Sequence, residues 1–248
     1  FQGKGVTTWE GLIKSVRAKV KGTKVKIRLG ASSGEWKAMV ADEAARTTFA
    51  KNIKTVLEKN KLDGIDLDFE WAENEKEYKD YSLAILKMRE VLGDKYLFSV
   101  SLHPVCYKIS KEAIEAVDFI SLQCYGPSPV RFPIEKYCSD IQMVLEYGIP
   151  REKLVAGVPF YGVTKDNSKK TEAYFNFVQN GLVTSPAQNE VIYQGDTYVF
   201  DGQDNIRIKT RYAKEQKLKG MMSWDLATDL PLSDSRSLLK TMTEELRE

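Results

Sequence analysis

Three acidic residues recur at every second position in residues 62–72, whose sequence is LDGIDLDFEWA. With a period of two, Asp66, Asp68 and Glu70 share one face of an extended segment, and the residues between them are apolar. Same-face residues on a strand lie roughly 6 to 7 Å apart, so each carboxylate raises the free energy of ionising the next. We therefore expect at least one of the three to hold a proton near neutral pH, as general acid catalysis requires.

Two other interpretations start from the same acids. A solvated acidic face on an edge strand would also alternate, but residues 62–72 lie between two helix-like segments, as a strand of an α/β core does. A calcium-binding loop also places acids at alternate positions, but it needs a glycine at its sixth position and polar residues between the acids. Here Ile65, Leu67 and Phe69 intervene, which favours the strand.

Strand-like and helix-like segments alternate along the rest of the chain. The predicted strands are 24–29, 62–72, 96–102, 118–125, 154–160 and 221–224, and the predicted helices are 8–20, 42–60, 75–92, a short one capped by Ser110, 134–147 and 206–218. This alternation predicts parallel strands joined by crossovers. Residues 163–204 interrupt it with a helix-like segment, 171–180, and a hairpin signal around Gln194-Gly195-Asp196. We interpret them as a small insertion within a single domain, 1–248.

Polar and aromatic residues gather at the C-terminal ends of the predicted strands, which favours a (β/α)8 TIM barrel. Active sites of these barrels lie at that end, whereas residues 30–34 lack the glycine spacing of a nucleotide-binding sheet. Six strands are recognisable where a closed barrel has eight. The strand-end residues are Ser32, Ser33, Glu70, Trp71, His103, Gln123, Tyr125, Tyr161, Trp224 and Asp225.

Composition indicates a folded protein whose partner is uncharged. The 248 residues are 42% hydrophobic and 29% charged, with 37 basic and 35 acidic side chains and a formal net charge of +2. This balance provides no electrostatic surface for nucleic acid or an anionic membrane, and no apolar run is long enough to cross a membrane. Cys106, Cys124 and Cys138 lack metal-ligand spacing, so we predict no disulfide framework, no metal site and no cofactor.

The acids Asp63, Asp66, Asp68 and Glu70 also spell D-x-x-D-x-D-x-E, which resembles the signature of glycoside hydrolase family 18, the family of chitinases and endo-β-N-acetylglucosaminidases. The resemblance covers nearly the whole chain from Lys24 onward. Residues 118–125, 157–162 and 220–225 are similar to the family's sixth, seventh and eighth strands, and KVKIRLGASS resembles its third strand and loop. The implied fold is a TIM barrel that lacks its first two strands in this chain and carries a small β-hairpin insertion after strand seven.

The resemblance implies retaining hydrolysis without an enzyme nucleophile, a substrate-assisted exception to the two-carboxylate scheme. Glu70 would protonate the glycosidic oxygen and later act as base toward water, while Asp68 orients the substrate's 2-acetamido group. Asp66 would share a proton or hydrogen bond with Asp68, and Tyr125 would donate to the acetamido oxygen. Trp224 would form the floor of the sugar subsite, and the further candidates for substrate binding are Gln123, Tyr161, Trp71 and Trp36.

The implied substrate is β-1,4-linked N-acetylglucosamine, either in chitin and chitooligosaccharides or in the chitobiose core of N-glycans. We expect cleavage within the glycan chain, and we expect the protein to be a monomer. Gln123 and Gly126 stand where many chitinases of the family have methionine and aspartate, and a Gln-x-Tyr arrangement is similar to plant-type chitinases and some endoglycosidases. A carbohydrate-binding barrel without hydrolysis is one alternative, although such relatives usually replace the residue at the position of Glu70. A metal-dependent barrel enzyme is another. The resemblance implies a secreted, periplasmic or cell-surface location.

Overall fold

A computed structural model describes residues 8–32 and 34–248 of the chain. Ser33, one of the predicted strand-end residues, lies outside the described residues. The chain divides into two compact units, the first ending at Ile120 and the second comprising Ser121–Glu248.

The first unit alternates helices with parallel strands. Its elements are α1 (Trp9–Lys19), β1 (Arg28–Ala31), α2 (Trp36–Ala41), α3 (Glu43–Asn60), β2 (Gly64–Leu67), α4 (Glu75–Leu92), β3 (Leu97–Leu102), α5 (Lys111–Ala116) and the first part of β4 (Phe119–Leu122), within which the second unit begins. Strand β2 lies between β1 and β3 and pairs in parallel with both, so that Arg28 is opposite Gly64 and Asp66 is opposite Ser99.

Local signals in the sequence determine where the long helices of this unit begin and end. Asn74 caps α4 by accepting the N–H of Glu77 at 3.0 Å, and Gly93, at φ +61°, follows its last residue. Helix α4 therefore has the predicted bounds, and α5 begins directly after the predicted cap, Ser110. Helix α2 is not predicted, because six residues are too few to reveal a helical period.

The apolar residues of β2 and of the segment directly after it are buried. Ile65 and Leu67 are completely buried and Phe69 is 2% exposed. The Phe69 ring stacks on Trp36, with centroids 5.4 Å apart, and packs against Tyr81 at 5.5 Å. Burying an apolar side chain of this size contributes about 1.5 to 3 kcal/mol. This packing selects the face that points into the core and leaves the acids on the other face.

Three strands are shorter or shifted relative to their predictions, and one of them is β4, which ends at Leu122 and not at residue 125. Strand β1 begins at Arg28, not at residue 24, and β2 ends at Leu67, not at residue 72. A strand extends only where a neighbour offers backbone partners, and the register of β1 with β2 covers four residue pairs. Immediately before β1, the N–H of Ile27 donates to the carboxylate of Asp63 at 2.8 Å.

The second unit contains a parallel pair of strands and a separate antiparallel sheet. Its elements after β4 are α6 (Ile134–Tyr147), β5 (Leu154–Pro159), β6 (Tyr161–Thr164), β7 (Thr171–Ala173), α7 (Tyr174–Gln179), β8 (Glu190–Tyr193), β9 (Asp196–Val199), α8 (Gln203–Glu215), β10 (Gly220–Trp224) and α9 (Leu238–Arg247). Strand β5 pairs in parallel with β10, from Val155 opposite Gly220 to Pro159 opposite Trp224. The antiparallel strands have the order β7-β6-β9-β8.

The antiparallel sheet contains the hairpin β8–β9, whose turn residues Gln194 and Gly195 have φ of 51° and 87°. The sheet begins at Tyr161, two residues before the predicted insertion. The predicted helix 171–180 is wrong in its first part: Thr171–Ala173 forms β7, and the helix begins only at Tyr174. Pairing with β6, which is distant in sequence, extends the backbone of β7 and overrides local helical periodicity.

Candidate active site

Asp66, Asp68 and Glu70 lie at the C-terminal end of β2. Their burial alternates with that of their neighbours as predicted: the two aspartates are half-buried and Glu70 is exposed. Gly64 begins this strand, and a Cβ there would lie 1.9 Å from the carbonyl oxygen of Leu97 on β3. The glycine of the acidic motif therefore allows β2 to lie close to β3, whose polar side chains contact the acids.

Asp66 is held by two hydroxyl groups from β3 and by a guanidinium from β1. Ser99 donates to its Oδ1, and Ser101 donates to its Oδ2 at 2.7 Å. Arg28 Nη1 donates to Ser99 Oγ and lies 3.8 Å from Asp66 Oδ1. Burial lowers the pKa of Arg28, while the negative charges of Asp66 and Asp118 raise it. Both oxygens of Asp66 thus accept a hydrogen bond from a serine hydroxyl.

These three partners of Asp66 are absent from the predicted site. Ser99 and Ser101 occupy alternate positions of the predicted strand 96–102, so their shared polar face is a signal that could have identified them. No comparable signal exists for Arg28, because its distance from Asp66 depends on the register between β1 and β2. The predicted proton sharing between Asp66 and Asp68 stays a prediction.

The segment 70–72, which carries the exposed acid, is held at each of its residues. The carbonyl oxygen of Glu70 accepts the indole N–H of Trp36 at 3.1 Å, and the N–H of Ala72 donates to Cys106 Sγ at 3.1 Å. Between them, the ring of Trp71 packs on that of His103 with centroids 4.8 Å apart. His103 Nδ1 itself accepts the N–H of Val105 at 3.2 Å. These contacts fix the backbone that positions the carboxyl group of Glu70.

Trp36 does not fit its predicted contact with sugar. It is 1% exposed and lies against Phe69 and Tyr81, so no ring face is open to a ligand. Its indole N–H instead supports the backbone of Glu70. Trp71, in contrast, is 38% exposed, and its predicted contact with substrate stays a prediction.

In the second unit, the predicted strand-end residues differ in exposure. Tyr125 is 6% exposed, with its hydroxyl 3.5 Å from Met222 Sδ and its ring edge-on to Tyr161 at 6.4 Å. Gln123 is also buried, whereas Trp224, the last residue of β10, is 54% exposed. An exposed indole offers a flat apolar surface on which the C–H face of a sugar could stack. The substrate contacts predicted for these residues stay predictions.

Replacing Gly157 by alanine is expected to displace Tyr125. A Cβ at this position would lie 2.9 Å from Tyr125 Cε1, 2.9 Å from Met222 Cε and 2.7 Å from the Leu122 carbonyl oxygen. Such overpacking costs about 1 to 3 kcal/mol of stability, because the phenol of Tyr125 has to move. Thermal unfolding measures this loss. Gly220→Ala, on the strand paired with it, is the control because its Cβ would meet nothing within 4 Å; equal effects would contradict the prediction.

The described residues contain no group of three or more His, Cys, Asp or Glu side chains arranged to hold a metal ion. Of the helices in residues 8–32 and 34–248, none combines the length and the apolar composition needed to span a membrane.

Solved structures with the same fold define the class of this protein. A chitinase from Bacteroides thetaiotaomicron matches with a TM-score of 0.82 and 21% identity, over 94% of this chain and 80% of that one. The GH18 chitinase ChiB from the chitin utilization locus of Flavobacterium johnsoniae matches with a TM-score of 0.77 and 27% identity, over 95% of this chain and 79% of that one. Together with the parallel strands and their crossover helices, these likenesses define a TIM-barrel-like α/β protein.

The chain belongs to family 18 of the glycosyl hydrolases, whose family model, "Glycosyl hydrolases family 18", matches residues 7–229. "Probable chitinase 2" of Drosophila melanogaster is 23% identical over 273 aligned residues, which cover 83% of this chain and 56% of that protein. The chain spans between 39% and 65% of the length of this relative and two others, "Chitinase A1" of Niallia circulans and "Class V chitinase" of Arabidopsis thaliana.

Proposed function

We propose that this protein is a retaining glycoside hydrolase that cleaves β-1,4-linked N-acetylglucosamine in chitin or chitooligosaccharides. One observation carries the proposal: the acids of the family signature alternate with buried apolar residues at the end of β2, and the outermost, Glu70, is exposed on a segment held at its backbone. A carboxyl group that a substrate can reach, on a backbone held in place and next to two further acids, is suited to general acid catalysis in a glycosidase.

Glu70 is the general acid in this mechanism. It protonates the glycosidic oxygen while the carbonyl oxygen of the substrate's own 2-acetamido group attacks the anomeric carbon, so the leaving sugar departs with that proton. The attack produces a cyclic oxazolinium ion. The Glu70 carboxylate then removes a proton from a water molecule, which attacks the anomeric carbon and opens the ring. Two inversions at that carbon give net retention, in the substrate-assisted scheme that needs no enzyme nucleophile.

Asp68 stabilises the positive charge of the oxazolinium ion and orients the acetamido group in this proposal. The role requires an ionised carboxylate, because a negative charge near the developing cation lowers the free energy of the transition state more than that of the ground state. Asp66 is the inner anion of the row, hydrogen-bonded by Ser99 and Ser101.

Tyr125 and Trp224 are proposed to contact the sugar. Tyr125 donates to the acetamido oxygen, and Trp224 stacks on the apolar face of a sugar ring. Support for these roles comes from their positions in motifs similar to the family's sixth and eighth strands, and from the exposure of the Trp224 ring. Gln123, Tyr161 and Trp71 are proposed as further contacts of the substrate.

An endo-β-N-acetylglucosaminidase acting on the chitobiose core of N-glycans is the second candidate. It uses the same chemistry on the same linkage. The observation that favours it is the Gln-x-Tyr arrangement of Gln123 and Tyr125, in place of the methionine and following aspartate of many chitinases.

Product analysis with two substrates tests the proposed function. The protein is incubated with chitohexaose and, separately, with a high-mannose N-glycoprotein, and the products are identified by mass spectrometry. We expect shortened chitooligosaccharides whose new reducing ends are first observed as the β-anomer by proton NMR, because the configuration is retained. Glycoprotein cleavage alone would support the second candidate. Binding of either glycan without cleavage would overturn hydrolysis in favour of a carbohydrate-binding protein.

A further inference from the structure

We propose that Arg28 is a positioning residue of this active site, which holds the carboxylate of Asp66 in place through the hydroxyl of Ser99 and offsets its charge. This role rests on the proposed function and adds to the site a cation that is not part of the acidic motif.

The direction of the hydrogen bonds carries the inference. Arg28 Nη1 donates to Ser99 Oγ, and an arginine nitrogen can act only as a donor. The single hydroxyl proton of Ser99 is therefore free to point at Asp66 Oδ1, to which it donates. The other oxygen, Oδ2, accepts from Ser101 at 2.7 Å. With both oxygens accepting and a guanidinium 3.8 Å away, the network fixes the orientation of this carboxylate and places a positive charge beside it.

The geometry of β1 explains why the cation comes from Arg28. Gly30 is the direct neighbour of Asp66 in the register of the two strands, and its position has no side chain and nothing within 4 Å of where a Cβ would be. Arg28 precedes Gly30 by two residues, so the two positions lie on the same face of β1. Its guanidinium is placed 4.6 Å over the ring of Phe119, and only 25% of its side chain is exposed. The charge is therefore held in place.

Balancing the charge of Asp66 has a consequence for the next acid in the row. Without a nearby cation, an ionised Asp66 would raise the free energy of ionising Asp68, because like charges at this spacing repel. Arg28 offsets that repulsion, so Asp68 can carry the negative charge that the oxazolinium ion needs. Arg28 thus acts on the reaction through Asp66, without touching the substrate.

Kinetics of Arg28 variants on chitohexaose test this role. Arg28→Met removes the charge and keeps most of the side-chain length, and we expect kcat to fall by about 10- to 100-fold. We expect KM to change by less than about twofold, because the lost interaction acts mainly in the transition state. Arg28→Lys, which keeps the charge, should restore part of kcat. Arg17→Met, the matched control on α1, should leave kcat unchanged because Arg17 is exposed and donates to the backbone oxygens of Asn60 and Lys61 at the end of α3.

A double-mutant cycle determines whether Arg28 acts through Asp66. Asp66→Asn and the combined variant Arg28→Met/Asp66→Asn are measured beside the single variants. If Arg28 acts through Asp66, the combined variant is no slower than Asp66→Asn alone. If the fall in kcat of the combined variant equals the product of the two single-variant falls, the proposal is overturned. An unchanged kcat in Arg28→Met would also overturn it.

Urea unfolding of the same four proteins makes the result independent of catalysis. We expect the combined variant to shift the unfolding midpoint by less than the sum of the two single-variant shifts, because the ion pair exists without substrate. Additive shifts would overturn the Arg28–Asp66 pairing whether or not the wild type cleaves glycans. If the wild type cleaves neither glycan but the unfolding shifts are not additive, the proposed function and the role of Arg28 in catalysis are overturned. The pairing of Arg28 with Asp66 would still be supported.

Discussion

Glu70→Gln is expected to lower kcat for glycan hydrolysis by about a thousandfold or more, with the fold and sugar binding retained. An amide of the same size cannot donate the proton that the leaving oxygen requires at neutral pH. The side chain of Glu70 is exposed, so the substitution disturbs no core packing. The carbonyl oxygen that accepts the indole N–H of Trp36 belongs to the backbone and is unchanged by the substitution.

Steady-state kinetics on chitohexaose, with isothermal titration calorimetry for binding, measure this effect. Glu73→Gln is the matched control: it neutralises a second exposed acid of the same loop, one that pairs with Lys37 at 3.3 Å. We expect its kcat to stay within about twofold of wild type, because surface ion pairs contribute little. If Glu70→Gln retained more than about a tenth of wild-type kcat, the general acid would have to be another residue, since removing one costs about a hundredfold or more.

Gly64→Ala is expected to destabilise the protein by about 3 kcal/mol, the upper end of the usual cost of overpacking. Its Cβ would lie 1.9, 2.7 and 2.9 Å from the carbonyl oxygen, carbonyl carbon and Cα of Leu97. All three are backbone atoms of the neighbouring strand, which cannot move aside as a flexible side chain does. Relief requires β2 and β3 to separate, which would break their parallel register and shift Asp66 relative to Ser99.

Thermal unfolding measures this loss, and for a chain of this size it corresponds to a fall in Tm of roughly 6 to 12 °C. Gly30→Ala is the matched control, because it also adds one methyl group to a strand of the first unit but meets nothing within 4 Å. Its effect should stay within about 0.5 kcal/mol. Equal melting temperatures for the two variants would show that β3 yields at Leu97 and that the close approach of the strands is not needed.

The sequence predicts best the features that depend on neighbours in the chain. Helix α4 has its predicted bounds because an Asn cap precedes it and a glycine at positive φ follows it. The exposure of Glu70 follows from the alternation of acidic and apolar residues, since a strand with one apolar face buries that face. The D-x-x-D-x-D-x-E spacing alone also identifies the family that the family model matches.

The predictions that fail depend on contacts between distant segments. Trp36 is predicted to contact sugar, but it packs against Phe69 and Tyr81 and is only 1% exposed. The predicted helix 171–180 begins as a strand because β6 offers it backbone partners.

The amino-acid sequence by itself determined the family, the alternation of strands and helices, and the face on which the acids lie, because residue types and spacing are enough to specify these. Only the tertiary structure decided which groups surround the acids. Ser99 and Arg28 reach Asp66 from two other strands, and Trp36 supports Glu70 from a helix that the periodicity does not reveal. Spacing shows which face of an element is apolar, but the element opposite that face is set by the register and packing of segments far apart in the chain.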